Sequence, residues 1–94
     1  MTTEQLRHLY TIIDHYGVNH QMKKAIEECN ELIEVVDNSL TDLPCDYTPS
    51  IIDEIADVEV MINQLKIIFD CFGEVEERID FKINRQLERM KKEV

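Results

Sequence analysis

Tryptophan is absent, and glycine and proline occur only twice each in 94 residues. Strands need turns, and turns draw on those residues, so many-stranded sandwiches and barrels are excluded and helices are the default. Basic residues are also scarce. Ten Lys plus Arg stand against twenty Asp plus Glu, a formal charge of −10. That sign repels phosphate backbones and anionic lipid heads, which predicts no nucleic-acid partner and no membrane partner. Phosphorylated small molecules stay open, because a bound divalent cation reverses the local field. The three cysteines, Cys29, Cys45 and Cys71, are odd in number and widely spaced. They lack the close pairs of a disulfide framework or a zinc site, which points to a reducing cytoplasm. Residues Met1 to Leu9 are polar where a signal peptide is apolar, and no window is long enough to span a bilayer. The length suits one domain, residues 1–94.

What the chain does contain is helical periodicity. Thr2 followed by Gln5 has the form of a capping box, and Leu6, Leu9, Tyr10, Ile13 and Tyr16 recur at helical spacing up to Gly17. Asn19 is suited to cap a second helix, whose apolar residues Met22, Ile26, Cys29, Ile33, Val36 and Leu40 step by three or four, fading near Asn38. Ser39 to Tyr47, broken by Pro44, reads as a loop. Thr48 then caps a long third helix with Pro49 at its first position, running to about Phe72, where Gly73 supplies a stop. A fourth helix extends from Glu74 to about Lys92. No strict heptad is sustained, so the expected architecture is an all-α four-helix bundle and not a long coiled coil.

The third helix has more apolar surface than one face. Its main arc holds Ile51, Ile55, Val58, Ile62, Leu65 and Phe69, with Ala56, Val60, Ile67 and Cys71 on a second arc behind it. Four short helices hardly enclose one of their number, so the second arc is expected to meet another subunit, in a homodimer or homotetramer.

The acids are informative where they interrupt apolar faces. Stepping 100° per residue places Glu28 between Val35 and Leu32, inside the apolar sector of the second helix, with Glu31 at its border. Glu54 projects between Met61 and Leu65 on the third helix, with Asp57 at the edge of that arc. Bare carboxylates there cost several kcal/mol each and repel one another, so compensation by cations is implied. Oxygen ligands with no His or Cys among them suit Mg²⁺, with Mn²⁺ as a substitute, far better than zinc. A di-iron bundle needs Glu-x-x-His pairs, and none of His8, His15 or His20 follows a glutamate by three. On the last helix Arg78, Lys82, Arg85 and Arg89 form one stripe beside Val75, Ile79, Ile83 and Leu87, along which a phosphate chain fits.

Glu27-Glu28-Cys29-Asn30-Glu31 followed by Glu54-Ile55-Ala56-Asp57 has the form Glu-Glu-x-x-Glu … Glu-x-x-Asp, with residues 32 to 53 between. This resembles the all-α nucleoside triphosphate pyrophosphohydrolases of the MazG and dimeric dUTPase superfamily. The likeness covers roughly residues 20 to 90, from Gln21 and Lys24 to the tail Lys82-x-Asn84-x-x-x-x-Arg89. It implies that Glu28, Glu31, Glu54 and Asp57 ligate Mg²⁺ and that a nucleoside triphosphate is cut between its α- and β-phosphates, giving a monophosphate and pyrophosphate. Glu27 or Glu31 then orients or deprotonates the water. Lys24, Lys82, Arg85 and Arg89 are the candidates for the phosphates, and Asn84 for phosphate or sugar. Two other readings are phosphoribosyl-ATP as the substrate, through the same Glu-Glu-x-x-Glu pattern, and a non-catalytic acidic scaffold or DNA mimic, motivated by the −10 charge.

Overall fold

The computed structural model describes residues 1–42 and 45–93. Every regular element among them is a helix: α1 (Thr3–Tyr16), α2 (Val18–Thr41), α3 (Thr48–Ile68) and α4 (Phe72–Lys92). None of them is long and apolar enough to cross a membrane.

The first boundary is the one the sequence announces. The Thr2 hydroxyl accepts from the Gln5 amide, and the Gln5 side chain accepts from the Thr2 amide, so two of the orphan donors at the start of α1 are satisfied. Gly17 ends α1 at φ 91°, a backbone conformation that a side chain at that position resists, and α2 restarts at Val18 without waiting for Asn19. At its far end α2 continues past Asn38 to Thr41. Pro44, the expected break in the loop that follows, lies outside the described residues.

Two caps differ from expectation, each for a local reason. The amide of Thr48 is satisfied by the Asp46 carboxylate at 3.0 Å, so Asp46 serves the start of α3 while Thr48 is already helical. The same hydrogen bond holds the Asp46 carboxyl below its ordinary pKa. At the other end α3 stops at Ile68 and not near Phe72. Asp70 adopts φ 49°, its amide donates to the Ile67 carbonyl, and the Cys71 amide reaches back to Lys66. That pair of bonds is a Schellman turn with an acid in the left-handed position usually held by glycine. Gly73 therefore lies inside the first turn of α4 and stops nothing.

The buried apolar residues are Leu9 and Ile13 from α1, Ala25 from α2, and Val58 and Met61 from α3. The face that α3 buries is accordingly centred on Glu54, Met61 and Gln64, and the arc expected to be innermost is turned partly outward: Ile55, Ile62 and Phe69 are all exposed. Both α1 and α2 pack against α3, and what they leave uncovered includes these three residues. Val60, Ile67 and Cys71 of the second arc are half-buried.

A hydrogen bond between two side chains fixes the register of the α2–α3 hairpin. Gln21 Nε2 donates to Gln64 Oε1 at 2.8 Å, both residues being almost fully buried. The Gln21 carbonyl accepts from His20 Nδ1 at 2.7 Å, and Gln64 Nε2 donates to the Met61 sulfur. Seven residues further along each helix of the hairpin, about 10.5 Å at helical rise, the same antiparallel register sets Glu28 opposite Asp57, and Glu31 opposite Glu54 one turn beyond. Among the described residues α4 meets only α3 and buries none of its own. The resulting radius of gyration, 16.5 Å, exceeds the about 12 Å of a closely packed chain of this length.

Because a buried amide stripped of its partner carries its full desolvation penalty, Gln64→Leu is expected to cost about 1–3 kcal/mol in urea unfolding. The double substitution Gln21→Leu, Gln64→Leu removes both partners and is expected to cost less than the single one. A double variant no more stable than the single one contradicts this pairing.

Candidate metal centre

Glu28 and Glu31 come from the middle of α2, and Glu54 and Asp57 from the first half of α3. A spacing of three puts each pair on one side of its helix, and the antiparallel register brings the pairs face to face. One oxygen from each of the four carboxylates lies within 4.8 Å of the others. Glu28 is buried, Glu54 is half-buried and Glu31 is exposed, so the group has one wet side.

The balance of partners in this group is uneven. Glu28 Oε1 pairs with Lys24 Nζ at 3.3 Å, and Lys24 also reaches Glu27 at 3.4 Å, which raises the Lys24 pKa. The second oxygen of Glu28 and Oε2 of Glu54 are buried with no hydrogen-bond partner among the described residues. Desolvation, then the charges of Glu31 and Asp57, push the Glu54 carboxyl above its ordinary pKa. Desolvation and then Glu28 do the same to Asp57, with Lys24 opposing. Among the described residues one exposed lysine thus stands against four gathered acids. The chemistry of the donor set fits a hard divalent cation: carboxylate oxygens only, within one coordination sphere's reach, two of them buried and unsatisfied.

Beside the acids opens a cleft of about 520 Å³, lined by Tyr16, His20, Gln21, Lys24, Glu28 and Asp57 among others. The rings of Tyr16 and His20 stack at its rim, 5.0 Å apart and 15° from parallel. Glu27 also faces it. The structure therefore gathers six of the residues singled out from the sequence: Lys24, Glu27, Glu28, Glu31, Glu54 and Asp57. Lys82, Asn84, Arg85 and Arg89 lie on α4, exposed, and line no part of the cleft. On α4 the Arg78 and Arg85 guanidinium groups lie over the Phe81 ring, at 4.6 and 5.7 Å from its centre. The apolar reading of the helices left out Gln64, although Glu54, Asp57, Met61 and Gln64 step by three, four and three, a stripe on which every residue but Met61 is polar. Comparison with protein-family models, with curated proteins and with solved structures finds no match to this chain.

The raised carboxyls give the stability of the metal-free chain a definite pH dependence. Below the ordinary carboxyl range both folded and unfolded chains are protonated at these sites and no repulsion exists. As pH rises through the raised folded values, the folded state alone is penalised. Without divalent ions, the thermal midpoint of the wild type is expected to fall relative to that of Glu54→Gln as pH climbs from about 4 to 7. Mg²⁺ is expected to narrow that gap. A difference between the two proteins that ignores both pH and Mg²⁺ contradicts the crowding of these acids.

Proposed function

We propose that the chain is a Mg²⁺-dependent nucleoside triphosphate pyrophosphohydrolase, releasing a nucleoside monophosphate and pyrophosphate from ribo- or deoxyribonucleotides. The observation that carries this reading is the four-carboxylate group with its two unpartnered buried oxygens, opening beside Lys24 into a cleft large enough for a small molecule. The Glu-Glu-x-x-Glu … Glu-x-x-Asp pattern, similar to that of the MazG and dimeric dUTPase superfamily, supports the same reaction class, as do a helical fold and the absence of any His or Cys among the donors.

In this reading Glu28, Glu31, Glu54 and Asp57 hold the cation, Mg²⁺ or Mn²⁺. When bound it neutralises charge on phosphate oxygens that the acids by themselves repel. Lys24 exchanges one of its two carboxylate partners for a phosphate oxygen. Glu27 or Glu31, both exposed at the wet side, orients a water for in-line attack on the α-phosphorus and accepts its proton. The bond from the α-phosphorus to its bridging oxygen breaks, and pyrophosphate leaves with the electron pair. Lys82, Asn84, Arg85 and Arg89 reach this cleft only if α4 is brought to it, which fits an assembly of two or four copies. Three free cysteines suit a reducing cytoplasm. Surface mimicry of DNA calls for acids spread outward, whereas the acids that decide the site here face one another.

The test is a panel of ribo- and deoxyribonucleoside triphosphates and phosphoribosyl-ATP, assayed for pyrophosphate with and without Mg²⁺. Mg²⁺-dependent pyrophosphate release is expected, and the panel separates nucleotide housekeeping from phosphoribosyl-ATP hydrolysis. Glu54→Gln is expected to lower turnover roughly 10²- to 10³-fold, the range for losing one group that stabilises transition-state charge. Orthophosphate as the first product, or full activity in Glu54→Gln, overturns the assignment.

A further inference from the structure

The helix without a core is the feature of this chain that its own packing leaves unexplained. α4 is 21 residues long and amphipathic, yet Ile79, Ile83, Leu87 and Met90 are 45–55% exposed. Helices in proteins draw most of their stability from packing an amphipathic face, and α4 buries none of its own residues. The α2–α3 hairpin has a matching exposed apolar strip beside its buried residues. There Ile26 and Ile33 of α2 and Phe69 of α3 are 60–65% exposed. A groove of about 480 Å³ runs between Met22, Ile26 and Cys29 on one wall and Leu65 and Phe69 on the other, and Leu32, Ile33, Val36 and Leu40 continue it along α2.

We propose that α4 of one copy lies, apolar stripe inward, along this groove of a second copy, and that the exchange is reciprocal. Charge selects the occupant. Residues 82–92 carry five bases against one acid, whereas residues 18–68, which span the hairpin, carry eleven acids against three bases. The sign that repels nucleic acid and anionic lipid from the hairpin attracts the end of α4. The lengths agree as well, at about 31 Å for α4 and 36 Å for α2. The turn at Asp70 sends α4 off the end of α3, where it makes no contact with α2 of its own chain, so the groove is open to another chain's helix. Two helices of this length laid in two grooves bury on the order of 2,000 Å² in total, the scale of a stable dimer. This contact does not depend on the chemistry of the acid group.

Sedimentation equilibrium of the full chain is expected to give the mass of two chains at micromolar concentration. Leu87→Asp on α4 and Ile33→Asp on α2 are each expected to weaken association at least tenfold. Both side chains are exposed in the single chain, so far-UV circular dichroism of α1–α3 is expected to persist. Raising NaCl is expected to weaken the wild-type dimer, as screening removes the attraction between opposite charges. A wild-type monomer at 100 µM overturns the proposal. So does a dimer that Leu87→Asp breaks and Ile33→Asp leaves intact, because α4 then pairs with itself. A wild-type dissociation constant indifferent to salt also overturns it, a readout that holds even if either variant fails to fold.

Discussion

Repulsion among carboxylates that the fold itself presses together is the constraint around which this protein is organised. An antiparallel hairpin of two amphipathic helices would bury apolar side chains along its whole seam. Here the seam is apolar at Ala25, Val58 and Met61 but acidic at Glu28, Glu54 and Asp57. Lys24 offsets part of one charge, and two buried oxygens find no donor among the described residues. Such an arrangement weakens the metal-free fold.

The glutamine pair and the acid group are two uses of one geometry. Gln21 with Gln64 and Glu28 with Asp57 occupy equivalent layers of the same hairpin, two helical turns apart. In the first layer donor meets acceptor, and the register is locked. In the second, acceptor meets acceptor, and the layer is closed only by something positive. The neutral layer thus holds the charged one in place, with its four acids gathered before any ion arrives.

Much of this was legible in the sequence. The capping box at Thr2 and Gln5 marked the start of α1 because both of its partners are local. The inward projection of Glu28 and Glu54 needed only helical stepping from their own apolar neighbours. Less legible was the orientation of α3, which is apolar around most of its circumference, so that its own period does not say which side the other helices will cover. Ile55 and Ile62 were therefore expected inside and are exposed. The end of α3 escaped for another reason. Gly73 is the residue best suited to a stop, yet Asp70 takes the left-handed position, at a point where the Lys66 and Ile67 carbonyls are free to receive the returning amides. The pairing of Gln21 with Gln64 depends on a tertiary register, which no single-helix projection contains.

The account as a whole depends on divalent ions entering the four-acid group. Electron paramagnetic resonance of Mn²⁺ titrated against the full chain, with Mg²⁺ as competitor, reads that directly, because bound and free Mn²⁺ differ in signal. Saturable loss of the free-ion signal, reversed by Mg²⁺ and absent in Glu54→Gln, is the predicted result. Mn²⁺ that stays free at millimolar protein, or binds equally well to Glu54→Gln, contradicts it.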